Sequence, residues 1–169
     1  MKKTVLTFGL ISGAMMAAMM LATVPFVYRI GFDKGMIVGY TTMVVAFLMV
    51  FFGIRSYRDN LGHGKITFGK GFAVGILITL ITSIFYVATW LFIYYQLMPD
   101  FCDRMIQYTI ESAKASGATQ QVLDAQIQKL NQLKTLLANP FINAALTFIE
   151  PFPVGLIITL VSAAILRKK

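Results

Sequence analysis

Four long apolar runs constrain this chain more than any other feature. Residues 4–28 carry no charge for 25 positions, residues 35–54 none for 20, and residues 71–98 none for 28. A fourth run, residues 141–166, covers 26 positions and is interrupted only by Glu150. A helix rises 1.5 Å per residue, so about 20 apolar residues cross about 30 Å of hydrocarbon. Backbone groups in hydrocarbon must be satisfied within the chain, and a continuous helix does this. The runs are too long and too uniform for barrel strands, which alternate. The sequence therefore predicts an all-α membrane protein, a single membrane domain over residues 1–169. Its four transmembrane helices cover about 4–28, 35–54, 71–98 and 141–166. Residues 100–139 are expected to form an extramembrane helical hairpin between the third and fourth spans.

Composition agrees. The chain is 57% hydrophobic and 13% charged, against about 45–50% and about 25% for a soluble domain. Disorder, collagen and a disulfide-stapled module are excluded, and the single cysteine, Cys102, allows no internal disulfide. Lys2-Lys3 before an apolar stretch also fits a secretory signal peptide. A signal core is about 7–15 residues long, however, and the run here is longer, with a poor cleavage site around Met19–Val24. An uncleaved first span is expected.

There are 15 Lys+Arg against 7 Asp+Glu, a net charge of +8. Lysine and arginine accumulate on the cytoplasmic side of membrane spans, which accounts for this balance without a nucleic-acid partner. Four spans put both termini and the loop 55–70 on one side. That side holds Lys2, Lys3, Arg55, Arg58, Lys65, Lys70, Arg167, Lys168 and Lys169. The other side holds Arg29, Lys34, Arg104, Lys114, Lys129 and Lys134, four of them diluted over the long insertion. Both termini are therefore expected in the cytoplasm. Tyr28, Trp90, Tyr94 and Tyr95 fall near the outer ends, as an interfacial aromatic belt would.

Small residues recur at helical spacing. Gly9, Gly13 and Ala17 lie four apart, as do Gly71 and Gly75, and Gly35 and Gly39. Such rows let helix backbones approach closely in lipid, either within one chain or across a dimer seam. In the insertion, Leu123, Ile127, Leu130 and Leu137 share one helical face, broadened by Leu133 and Leu136. Asn139-Pro140 ends that helix. A shorter one, with Phe101, Met105 and Tyr108, precedes the break at Ser116-Gly117. The apolar face either caps the bundle or docks a partner. The polar face lacks the basic character, and the apolar face the aromatics, of a lipid-surface helix.

Chemistry-bearing motifs are weak. Gly64-Lys65-Ile66-Thr67-Phe68-Gly69-Lys70 resembles a phosphate-binding loop, but Gly71 stands where Ser or Thr would hold magnesium, and a span precedes it instead of a strand. Met15, Met16, Met19 and Met20 pair thioethers at i and i+4, suited to a soft ion such as Cu(I) or simply to flexible apolar packing. His63 is the one histidine, and no G-x-S-x-G elbow occurs. No catalytic residue, metal ligand or cofactor is assigned, and an enzyme is not expected.

Glu150 is the one ionisable residue inside a span, a functional-site hypothesis by default. Counting from Phe141 places it about 14 Å deep, and counting back from Arg167 about 25 Å from the inner anchor. Pro151 and Pro153 suit the first turn of a helix, where the dipole favours an anion. Glu150 is therefore expected near the outer interface, within reach of Arg29 or Lys34 or held by backbone N–H groups of residues 151–155. An ion-relay role is the alternative.

From Tyr57 onward the order is Tyr57-Arg58-Asp59, a glycine turn, Ile66-Thr67-Phe68-Gly69-Lys70-Gly71-Phe72, Gly75, Tyr94-Tyr95 and Pro99-Asp100-Phe101. This resembles a family of bacterial integral membrane proteins known as domain-of-unknown-function family 4199. The resemblance covers nearly the whole chain and implies a bacterial inner membrane, with no activity or ligand to carry over. The expected function is a non-enzymatic membrane scaffold or interaction protein, self-associating or bound to a membrane-protein partner. The alternative is a small transporter or channel subunit with Glu150 on its path.

Overall fold

The computed structural model describes residues 1–168. Lys169 and the side chains of Tyr28 and Ile30 lie outside the described residues, and with them the belt position of Tyr28 and one of the inner basic residues. The helices are α1 (Lys2–Thr23), α2 (Val27–Ile30), α3 (Phe32–Leu61), α4 (Phe68–Phe92), α5 (Phe101–Ala115), α6 (Gln120–Leu137), α7 (Pro140–Ile149) and α8 (Pro151–Leu166). A 3-10 turn, Val24–Phe26, joins α1 to α2, and a π-helical turn, Ile93–Leu97, extends α4.

Four stretches are long and apolar enough to cross a membrane: Lys2–Phe26, Phe32–Leu61, Phe68–Leu97 and Pro140–Leu166. Their bounds differ from the charge-free runs for physical reasons. The second helix continues past Asp33 and Lys34 at one end and Arg55, Arg58 and Asp59 at the other. Charge limits how deep a residue sits, and does not end a helix. The first helix gives way to a 3-10 turn around Pro25, and the last is divided at Glu150, because Pro151 has no N–H to continue the ladder.

Local chemistry sets the ends. Thr67 caps α4, its hydroxyl accepting from the Lys70 N–H at 3.4 Å. Asn139 caps α7, its side-chain oxygen accepting from the N–H groups of Phe141 (2.9 Å) and Ile142 (3.3 Å), with Pro140 preset for the first turn. Gly31 has φ of +86°, which lets the chain reverse from α2 into α3. The phosphate-loop-like segment is the turn between α3 and α4. Ile66 and Lys168 form an antiparallel bridge with two N–H···O bonds of 3.0 Å, pinning the C-terminus against that turn.

α1 and α8 each pack against both α3 and α4. The register is regular. On the α1 side, a Cβ added to Gly9 meets Ile81, and one added to Gly13 meets Phe85 at 2.6 Å, so α1 runs parallel to α4. On the α8 side, Gly71 lies against Ala163, Gly75 against Thr159, and Gly155 against Thr79. Each turn up α4 is thus a turn down α8, and the two are antiparallel. A Cβ on Gly75 would meet Thr159 Cγ2 at 2.7 Å, and one on Gly155 would meet Thr79 Cγ2 at 2.4 Å. The glycine rows at Gly9 and Gly13, and at Gly71 and Gly75, are therefore filled from within the chain; Ala17 is half-buried. Hydroxyls bond across the same contacts. Thr79 Oγ1 donates to Gly155 O at 3.3 Å and lies 3.0 Å from Thr159 Oγ1, and Ser12 Oγ donates to Ala46 O at 2.8 Å, joining α1 to α3. The core of Phe47, Val50, Ile54, Val74 and Ile78 is fully buried. Leu10, Ile37, Leu48, Ile84, Ile157 and Ile165 face outward, as lipid contact requires.

Beyond α4, α5 packs against α6 and α6 against α7. Lys134 of α6 pairs with Asp103 of α5. Leu123 and Leu137 are buried, while Ile127, Leu130 and Leu133 are half-buried. Leu136, expected to widen the stripe, is 45% exposed.

Substitutions on the two kinds of glycine should separate. Gly75→Ala and Gly155→Ala should each cost about 1–3 kcal/mol by forcing α4 and α8 apart. Gly39→Ala, where a Cβ meets nothing within 4 Å, should cost nothing and gain up to about 1 kcal/mol in helix propensity. Unfolding in mixed detergent–SDS micelles reads the difference; equal losses at all three sites would contradict the α4–α8 register.

Candidate functional site

Glu150 stands at the junction of α7 and α8. α8 has 16 residues, so Glu150 lies about 24 Å from its far end, in the half of the bundle away from the termini. Its Oε2 accepts a hydrogen bond from Tyr86 Oη of α4 at 2.7 Å. Among the described residues no ion pair joins Glu150 to Arg29 or Lys34, and its side chain caps no N–H of α8. The reasons are local. Arg29 sits over the Phe26 ring, 5.9 Å from its centroid, and Pro151 and Pro153 remove two of the N–H groups a cap would use.

Glu150 and Tyr86 line a cavity of about 390 Å³, within the size range of small-molecule sites. It lies among the α1, α3 and α4 halves remote from the termini, with Phe101 and Met105 of α5 at its end. α3 contributes Gly35 and Gly39, one turn apart; Val27 packs against Gly35, and the space is left at Gly39. Gly39 has open space where its Cβ would stand, in contrast to the filled glycines of the α4–α8 contact. Met16 and Met20 of α1 supply adaptable thioether walls. Of the four methionines singled out in the sequence, these two line the cavity, while Met15 and Met19 do not.

Next to the cavity, α4 is tied to α7 by a polar network. Asn143 is fully buried. Its Oδ1 accepts from Trp90 Nε1 at 3.1 Å and from Thr147 Oγ1 at 3.1 Å. Its Nδ2 donates to Leu137 O at 3.2 Å and to Tyr95 Oη at 3.4 Å, and Tyr95 Oη donates to Leu137 O at 2.7 Å. Trp90 also meets Phe101 edge-on, with centroids 5.1 Å apart. Trp90 and Tyr94 thus turn inward instead of forming a lipid-facing belt, because α5 to α7 cover this end of α4 and satisfy their polar atoms. Sequence reasoning missed Asn143 and Tyr86. A lone asparagine in an apolar run was the available signal, since polar side chains in spans bond across helices. Ser83, one turn below Tyr86, has a buried hydroxyl with no hydrogen-bond partner among the described residues.

The other singled-out residues lie elsewhere. Gly9, Gly13, Gly71 and Gly75 hold helix contacts, His63 is exposed in the α3–α4 turn, and Leu123, Ile127, Leu130 and Leu137 sit in α6.

Asn143→Ala should orphan the Trp90 N–H, costing about 1–3 kcal/mol, while Leu137 O keeps its bond from Tyr95 Oη. Ser83→Ala removes an unsatisfied group and should be neutral or stabilising. SDS unfolding followed by the emission of Trp90, the one tryptophan of the chain, would measure both; a larger loss for Ser83→Ala would contradict the assignment.

A family model described as a protein of unknown function, DUF4199, matches residues 7–168. No curated protein and no solved structure matches the chain.

Proposed function

The chain belongs to the DUF4199 family of unknown function, and we propose that it is a multi-pass membrane protein that binds a small amphipathic molecule in the cavity beside Glu150. The observation that carries this is the void itself, open at Gly39 and bordered by one carboxylate. Part of the surface that pointed to scaffolding has partners inside the chain: the rows at Gly9 and Gly13 and at Gly71 and Gly75 are filled, and α6 buries Leu123 and Leu137.

The site is suited to holding a ligand and not to converting it. Tyr86 and Glu150 are the titratable side chains that line the cavity, the rest of its lining being apolar or hydroxyl, which suits retention of a ligand more than proton transfer to it. Carriage across the bilayer is the natural extension, with Glu150 as the point of attachment.

Both termini are assigned to the cytoplasm and the chain to an inner membrane. The end with the termini carries eight described basic residues against one acidic, Asp59. The far end carries six of each, counting Glu150. The whole positive excess therefore sits on the side that lysine and arginine mark as cytoplasmic. α5 and α6 then form the outer helical hairpin.

An alkaline-phosphatase fusion after residue 169 should be inactive and one at Ser116 active; the reverse would overturn the orientation. For binding, a diazirine-bearing twelve-carbon alcohol in nanodiscs should label cavity residues in the wild type. Gly39→Leu, which fills the void without touching the α4–α8 contact, should reduce that labelling at least about tenfold. Equal labelling of both proteins would remove the binding assignment.

A further inference from the structure

We infer that the ligand of this cavity is an amphipathic amine: a cationic nitrogen held by the Glu150 carboxylate, with an alkyl body lying along Met16, Met20 and Trp90. This rests on the binding assignment above and adds the chemistry of the head group. Tyr86 satisfies Oε2 at 2.7 Å, and the other carboxylate oxygen has no hydrogen bond among the described residues. None of the ion pairs among the described residues includes Glu150. Glu150 is exposed at the edge of this apolar cavity, where a carboxylate facing hydrocarbon is costly without a counter-charge, and among the described residues no cation pairs with it.

The complement is therefore a positive charge from outside the chain. The walls agree with this. Trp90 lines the cavity beside Phe101 and gives the alkyl body an aromatic wall. Methionine thioethers adapt to a flexible chain. A fatty acid would set carboxylate against carboxylate. A zwitterionic phospholipid would bring its phosphate toward the same anion. A single-headed amine has neither conflict. The donation from Tyr86 occupies Oε2 and leaves the other oxygen for the ligand.

Trp90 is a built-in reporter, since it is the one tryptophan of the chain and lines the cavity. Chain-brominated dodecylamine and chain-brominated dodecanol are titrated into protein in phosphatidylcholine nanodiscs, compared at equal membrane content, and Trp90 quenching is followed. The amine should quench at a concentration at least about tenfold lower than the alcohol, equivalent to about 1.4 kcal/mol. Glu150→Gln should bring the two midpoints together by raising that of the amine, with helical circular dichroism and SDS-unfolding midpoint showing that the variant is folded. Tyr86→Phe keeps the carboxylate and should keep the preference. Equal quenching by both probes in the wild type, abolished by Gly39→Leu, would overturn the amine assignment and leave cavity binding standing. A preference that survives Glu150→Gln would also overturn it. Quenching by neither probe beyond the Gly39→Leu level would overturn the binding assignment itself.

Discussion

The close approach of α8 to α4 is the contact on which the bundle depends. In lipid the hydrophobic effect does not drive helices together, because acyl chains are as apolar as leucine. What remains is packing at short range and hydrogen bonding, and both need small residues. Gly71, Gly75 and Thr79 on α4 meet Ala163, Thr159 and Gly155 on α8 in strict four-residue steps. That step places the Thr79 hydroxyl where it can reach both Gly155 O and Thr159 Oγ1. α1 uses the same device on another face of α4, with Gly9 and Gly13 receiving Ile81 and Phe85. α3 closes the core through Phe47 and Ile54, which pack against Gly155 and Gly75.

The same helices behave differently past Glu150. Pro151 breaks the backbone ladder, so α7 is free to take its own path along α4. There the small residues are on α3, at Gly35 and Gly39, and no neighbour fills the space at Gly39. Polar contacts replace small-residue packing: Asn143 ties α7 to Trp90, and Glu150 ties the junction to Tyr86. A void can persist here because its walls are held by directional bonds. The bundle thus has a dense half near the termini and an open half away from them, built from one set of helices.

Much of this was legible in the sequence, and the failures have physical causes. The four spans followed from charge-free runs, because the cost of burying charge in lipid is large and local. Their ends did not, because Asp33, Lys34 and Arg55 are compatible with helix outside the hydrocarbon. The small-residue rows were visible, but not what fills them: Gly75 meets Thr159 and Gly39 meets nothing, a difference set by tertiary register alone. Glu150 stood out as an ionisable group in a span. Its partner did not, since Tyr86 is 64 positions away and was one of seven tyrosines. Proximity in the chain pointed to nothing better than Arg29 and Lys34, which matched Glu150 in estimated depth but not in contact. The aromatic cluster at the end of α4 fitted a lipid-facing belt by composition, yet α5 to α7 fold over it and supply its hydrogen bonds. Leu136 shows the limit of reading stripes: it neighbours the apolar face of α6 but falls outside the arc that its neighbours cover.

The contrast between the dense and the open half is open to one direct measurement. In a Cys102→Ser background, cysteines at positions 71 and 163 should cross-link readily under mild oxidation in the membrane, because a Cβ at Gly71 stands 3.4 Å from the Ala163 Cβ. A single cysteine at position 39 in the same background should react with a small membrane-permeant thiol reagent, while a single cysteine at 71 should be protected. Cross-linking at 71/163 together with reactivity at 39 is the result this structure requires. A protected position 39, or a 71/163 pair that fails to cross-link, would contradict it.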